Sequence, residues 1–411
     1  MALFGNNKPF QYPLLNVSNV EDFKKVSRRE LFLKSAEPTV YSIDQGHLIE
    51  NPRTLWANSI PIYGENLPEN VATRKPFRSL PVYSVKFQGS FINPTWGIVL
   101  NSNYEVFEPS ARAARWKSPD LTQIPGISNN DGAPQINVSL LPKKALRGNY
   151  LVLNHWGGKN YGHFLLDSLP GVLLFYKEIL QGTLKIITGP LHPWQREYLS
   201  MLGIVGPQIV SVERDIFLKC ESIVWPSFLH NNLNYPSPFT RIVGVYLRAL
   251  TGIKGPEPSP DLLYISRASY KDRQLARKLE NEEELIRALT QRGFVVIRPE
   301  EHSVADQVAL FSKAKIIVGE SGAGMANIIF APPGCHIIEI MPEIKNRVWV
   351  KQLCGLFDYA WYCVFTAVPP EKRTVTTIQG VKYDNLAFSY AVNTMHVIRA
   401  IEEAKSSLSI N

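Results

Sequence analysis

Short, continuous apolar runs alternate with amphipathic stretches through the later two thirds of the chain, and this alternation predicts its architecture. LVLNHW (151–156), LKIITG (184–189), QIVSV (208–212) and SIVWP (222–226) read as buried strands. GHFLLDSLPGVLLFYKEIL (162–180) reads as a helix in which Pro170 places a kink or a break. After the proline- and glycine-rich stretch GIKGPEPSP (252–260) the pattern sharpens. LLYISR, FVVIRP, KIIVG, CHIIEI and YAWYCVF are strand-like, and the segments between them are helix-like. Asn281 is placed to cap one helix, with Glu284 at the box position, and Ser303 to cap the next. GAGMANIIF and NRVWVKQLCGLF give two more helices, and 389–408 a terminal one. Strand–helix alternation of this kind implies parallel sheets covered on both faces. The first 150 residues are irregular and rich in Pro, Asn and Ser, with short strand patterns only at 82–87 and 97–100.

The expected fold class is therefore α/β, with two Rossmann-like domains. The expected division is 1–251 as an N-terminal domain, 252–260 as linker, 261–388 as a C-terminal Rossmann-like domain, and 389–411 as a closing helix. In open α/β sheets ligands lie outside the carboxyl ends of the strands. In this chain those ends carry His155, Arg267, 299–301 and 320–324.

Composition narrows the class. Of 411 residues, 45% are hydrophobic and 19% charged, which excludes a disordered chain, a collagen or a coiled coil. No repeat of solenoid period is present. The net charge of +8 suits an anionic ligand or an anionic membrane surface as well as nucleic acid. The densest basic patch is Lys24, Lys25, Arg28 and Arg29. None of the four cysteines sits in a CxxC pair, no His pair completes a zinc pattern, and neither a leader nor a membrane span is recognisable. The expectation is a cytoplasmic protein, with peripheral contact at the inner face of the membrane as a further option.

Three constellations carry candidate chemistry. In KIIVGESGAG a strand turns into a helix, and Gly319, Gly322 and Gly324 let backbone approach a ligand. Glu320, Ser321, Gly322, Ala323 and Gly324 are thus candidates for phosphate binding at a helix N-terminus. Arg267 ends a neighbouring strand, where its guanidinium suits bidentate phosphate contact; Ser266 offers a hydroxyl and Arg273 a further cation. In NYGHFLLD, His163 and Asp167 stand four apart, one helical turn from each other. Either could be a general base, with the other orienting it. Asn160, Tyr161 and His155 are candidates for holding a substrate. There is no Asp-x-Asp pair to bridge a metal to a diphosphate, and neither a P-loop nor a GxSxG elbow is present.

Together these blocks resemble glycosyltransferase family 61, and the bacterial polysaccharide-biosynthesis members look most similar. NYGHFLLDSLP resembles the family's Asn-Tyr-x-His-Trp-Leu-x-Asp-x-Leu-Pro. YISR, Arg273 and NEEEL resemble its strand, arginine and Asn-Glu helix start. The third block runs from GFVVIRPEEHSVADQVALFSKAKIIVGESGAG to ANIIFAPPGCHIIEI. The resemblance covers about 160–339. It implies a GT-B architecture and metal-independent, inverting transfer from a nucleotide-sugar, usually a UDP-sugar, to a saccharide or glycan acceptor. No separate cofactor and no nucleic acid are implied. It places the family's phosphate arginine on Arg267, its glycine turn on Gly322 and Gly324, and its histidine and aspartate on His163 and Asp167. Two positions depart: Ser321 stands where the family commonly has histidine, and Phe164 where it has tryptophan. A nucleotide-sugar epimerase and a non-catalytic scaffold of a polysaccharide-assembly complex are the alternatives.

Overall fold

A computed structural model gives the fold. It describes residues 32–33, 45–50, 54–55, 59–64, 67–72, 77–79, 82–107, 109–111, 114, 121–130, 133–153, 158–229, 234–251, 260–268, 277–345, 347–378 and 381–409. The chain forms two compact α/β units, one of Met1–Arg53 with Leu80–Asn232, the other of Thr54–Ser79 with Leu233–Asn411. The basic patch at 24–29, His155, Arg273 and nearly all of the expected linker lie outside the described residues.

The first unit is built on a nine-stranded mixed sheet. Its parallel part runs Ile209–Ser211, Lys185–Thr188, Ala145–Val152, Leu218–Pro226 across the sheet. In chain order that is 3-2-1-4, the order of a Rossmann half. Beyond Leu218–Pro226 every pairing is antiparallel, through Val82–Asn93 to Ile98–Leu100, Val106–Phe107 and Phe32–Leu33. The expected Rossmann-like domain is therefore only partly parallel. The turn-rich early chain supplies hairpin connections, not the long crossovers that parallel strands need. The antiparallel part is anchored by Phe107, whose ring packs edge-on at 5.0 Å from both Phe87 and Trp225.

The predicted 162–180 helix forms in pieces. A turn at Tyr161–His163 widens into a π-turn over Phe164–Ser168, Leu169–Leu173 returns to α, and Tyr176–Leu180 follows a break. Pro170 does not itself break the helix. The Leu169 N–H reaches back five residues to the Phe164 carbonyl, so the ladder has already widened where the prolyl nitrogen has no proton to give. The break falls later, at Phe175.

The second unit carries a six-stranded sheet that is parallel throughout, in the order Val295–Ile297, Leu262–Ile265, Ile316–Glu320, His336–Pro342, Ala360–Thr366, Ser59–Tyr63. The first five follow the doubly wound order 2-1-3-4-5. Helices Glu282–Thr290 and Thr394–Ser409 share one core with Tyr264, Val318, Ile338 and Tyr362. The alternate residues Ile317, Ile337 and Cys363 are equally buried and face the other layer. That layer contains Val304–Phe311, the 3-10 helix Ala323–Phe330 and Trp349–Phe357.

Several expectations are corrected here. Thr240–Thr251 belongs to the second unit, not the first: a Cβ on Gly244 would stand 2.0 Å from the Ile329 carbonyl, so only glycine allows this helix to lie on Ala323–Phe330. The closing helix is no separate piece, since its apolar face is part of the second core. Ser303 does cap its helix, accepting from Asp306 N at 3.1 Å. Asn281 does not; its amide bridges both backbone groups of Val392, and Glu284 accepts from Thr394 instead. All four cysteines are buried and free. Among the described residues no helix is long and apolar enough to cross a membrane.

Candidate functional site

In the second unit the sheet order reverses between Leu262–Ile265 and Ile316–Glu320, and the expected phosphate residues stand at the carboxyl ends of these two strands. Gly322 has extended backbone (φ 172°), so its requirement for glycine is spatial. A Cβ there would come within 1.8 Å of Arg267 Nη1 and 3.4 Å of Arg277 Nη2. Two guanidinium groups thus close on the bare face of one glycine. Gly319 and Gly324 serve packing: a Cβ would press on Met325 Sδ (2.6 Å) in the first case and on Ile265 Cγ2 (3.2 Å) in the second.

Arg277 escapes sequence reasoning, which looked to Arg273. It sits on a short strand, Arg277–Leu279, paired in parallel with Val381–Tyr390, and donates from Nη1 to the Ser321 carbonyl at 2.8 Å. Burial, and then the charge of Arg267, lower its pKa to about 10. Glu320 is buried on the adjacent strand end and accepts from the Tyr390 hydroxyl. Burial raises its carboxyl, while Arg267, the Tyr390 bond and Arg277 pull the other way.

Ser266 and Ser321 do not present hydroxyls as expected. The Ser266 hydroxyl donates to Glu282 Oε1 at 2.7 Å, and the same oxygen accepts from Tyr264 OH and Arg267 N. Glu282, read from the sequence only as a helix start, therefore ties down the chain that carries Arg267. The Ser321 hydroxyl turns into the sheet and donates to Glu339, whose other oxygen accepts from Trp361 Nε1 at 2.9 Å. The Ser321 N–H is also used, on the Ile340 carbonyl at 2.9 Å. The following helix is 3-10 rather than α, so fewer aligned peptides stand behind Gly322, Ala323 and Gly324 than expected.

Glu339 gives a pH prediction. Burial raises its carboxyl to about 7, against the hydrogen bonds from Ser321 and Trp361. Between the ordinary 4.5 and about 7 the folded chain holds a proton there that the unfolded chain has released. Its contribution to stability is full below 4.5 and is lost as pH rises through 7, on the order of 3 kcal/mol. Thermal unfolding from pH 5 to 8 should fall more steeply for the wild type than for Glu339→Gln. Identical slopes would remove the assignment.

The first unit holds the other candidates, again where its sheet order reverses, between Ala145–Val152 and Leu218–Pro226. Asn160 is a helix N-cap, its Oδ1 accepting from His163 N at 3.3 Å. The Tyr161 hydroxyl pairs with Tyr198 OH at 2.7 Å, and its ring packs 5.4 Å from Trp194. Phe164 is fully buried, edge-on to Trp194 at 5.2 Å. Asn160 and Tyr161 thus build the turn that delivers His163 and Asp167. Both of those are 6% exposed. Asp167 Oδ1 accepts from the Leu229 N–H at 3.0 Å and lines a small cavity with Val152, Ser168, Pro226, Ser227 and Phe228. The π-turn sets the angle at which Asp167 leaves the helix.

A family model described as glycosyltransferase 61 matches residues 161–338. A beta-1,2-xylosyltransferase of Oryza sativa subsp. japonica is 26% identical over 212 residues, 46% of this chain and 36% of that protein. The protein O-linked-mannose beta-1,4-N-acetylglucosaminyltransferase 2 of Xenopus tropicalis is 36% identical over 77 residues, 18% of this chain and 13% of the relative. The human protein of the same name is 36% identical over 73 residues, 17% and 13% of the two chains. This chain therefore spans about a third or less of the length of these curated relatives. The matched region contains the His163 turn, Arg267, Arg277 and the Gly322 turn, and through it the chain is similar to glycosyltransferase family 61.

Proposed function

We propose that the protein is a glycosyltransferase that moves a sugar from a nucleotide-sugar, a UDP-sugar by preference, to a saccharide hydroxyl with inversion and without a metal. The observation that carries this reading is the closure of Arg267 and Arg277 on Gly322 at a sheet reversal, where α/β folds bind their ligands. Paired guanidiniums suit a diphosphate leaving group, because they stabilise the charge that grows on it as the glycosidic bond breaks. In the first unit His163 or Asp167 takes the acceptor hydroxyl proton. The oxygen then attacks the anomeric carbon, and the diphosphate departs with the bonding pair. The GT-B arrangement, with the first unit serving the acceptor and the second the donor, is part of the proposal and comes from the family resemblance.

The test is a panel of nucleotide-sugars incubated with the purified protein, with nucleoside diphosphate release as readout, with and without chelator. Slow hydrolysis of one donor, unchanged by chelator, is expected. Conversion of the donor to its epimer without release would move the protein to the epimerase class. Binding of no nucleotide at all would leave a scaffold.

A further inference from the structure

The end of the sheet that carries Arg267 and Gly322 receives two cations that the matched motifs do not include. His336–Pro342 runs parallel to Ile316–Glu320 with Ile340 opposite Glu320, so it continues two residues further. It delivers the turn Glu343–Lys345, and then Arg347, to the end where Glu320–Gly322 lie. This turn is fixed. Arg373 donates from Nη2 to Glu343 at 2.5 Å and holds the Val368 carbonyl at 2.7 Å with the same nitrogen. The Arg347 N–H closes back on the Lys345 carbonyl at 2.6 Å.

Both residues are only partly exposed, and their charges reach Arg277. Arg347 adds to burial and Arg267 in lowering Arg277. Burial first, then Arg277 and Arg347, lower Lys345 to about 7. Four basic groups gathered at one strand end repel one another, and an anion placed among them relieves that repulsion. At the same place Ser321 brings no charge, and its hydroxyl is committed to Glu339.

We propose that Lys345 and Arg347 bind the diphosphate of the donor together with Arg267 and Arg277, supplying from the neighbouring strand the positive charge that Ser321 cannot. This rests on the nucleotide-sugar reading above and extends it to ligand class. Four basic groups, set against Glu320 and Glu282, match two linked phosphates rather than the single phosphate of a nucleoside monophosphate donor.

The experiment is calorimetric titration of UDP, UMP and inorganic pyrophosphate into the wild type and two double variants, Lys345→Gln with Arg347→Gln, and Lys345→Arg with Arg347→Lys. The neutral pair should weaken UDP and pyrophosphate roughly 10- to 100-fold, weaken UMP much less, and flatten the loss of affinity with added salt. The charge-conserving pair keeps the positive charge and should lose clearly less UDP affinity than the neutral pair, which separates lost charge from lost structure. Unchanged UDP affinity in the neutral pair, with wild-type binding intact, overturns this proposal and leaves the donor reading standing. Failure of the wild type to bind either UDP or pyrophosphate overturns both.

Discussion

Replacing Arg267 by alanine is expected to abolish measurable UDP binding and sugar transfer together. Its guanidinium lies against Gly322 at the sheet reversal, and Glu282 fixes its backbone N–H. Charge-assisted hydrogen bonds are worth roughly 1.5–3 kcal/mol each, so losing a bidentate pair lowers affinity by about 10²–10⁴-fold. Gly322→Ala probes the same contact from the other side. Its new Cβ would overlap Arg267 Nη1, which is the tip of a flexible side chain, so the guanidinium moves and the fold survives. This variant should melt near wild type and bind UDP about 10- to 100-fold more weakly. Calorimetry with UDP, alongside thermal unfolding, checks both. Wild-type affinity and full turnover in Arg267→Ala would sink the phosphate assignment.

His163→Ala and Asp167→Asn should give the opposite split, with UDP affinity kept and transfer reduced about 10²–10⁴-fold. Both residues belong to the first unit, whereas Arg267, Arg277 and Gly322 belong to the second. Asparagine at 167 retains an oxygen for the Leu229 N–H, so the local hydrogen bond survives while the carboxylate is lost. The larger of the two kcat losses, together with disappearance of the acidic limb of the pH–rate profile, identifies the base. Equal loss of UDP affinity and turnover in either variant would argue for a structural role instead.

The second sheet was legible because its strands are buried on both faces and read as unbroken apolar runs between turn signals. KIIVG and CHIIEI fall on Ile316–Glu320 and His336–Pro342 nearly to the residue. The antiparallel part of the first unit was legible only in places, at 82–87 and 97–100, because it lies within a Pro-, Asn- and Ser-rich stretch that shows little periodicity. In the site, Arg267 and the glycines were readable because a strand end and a tight turn mark them. Arg277 was missed because it enters from a separate sheet through its pairing with Val381–Tyr390, a long-range contact with no local signal. Glu339 was hidden inside an apolar strand, and the inward turn of the Ser321 hydroxyl follows from that carboxylate rather than from the glycine-rich motif.

Ser59–Tyr63, the outermost strand of the second sheet, comes from far upstream of the other five. A fragment beginning at Leu233 would therefore present Ala360–Thr366 as a bare hydrophobic border, ready to recruit strands from other molecules. On the ribosome the upstream strand must wait until Ala360–Thr366 has been synthesised, a delay that slows assembly and lengthens exposure to chaperones. Attempts to produce the second unit alone should accordingly fuse 54–79 ahead of residue 233 through a flexible tether.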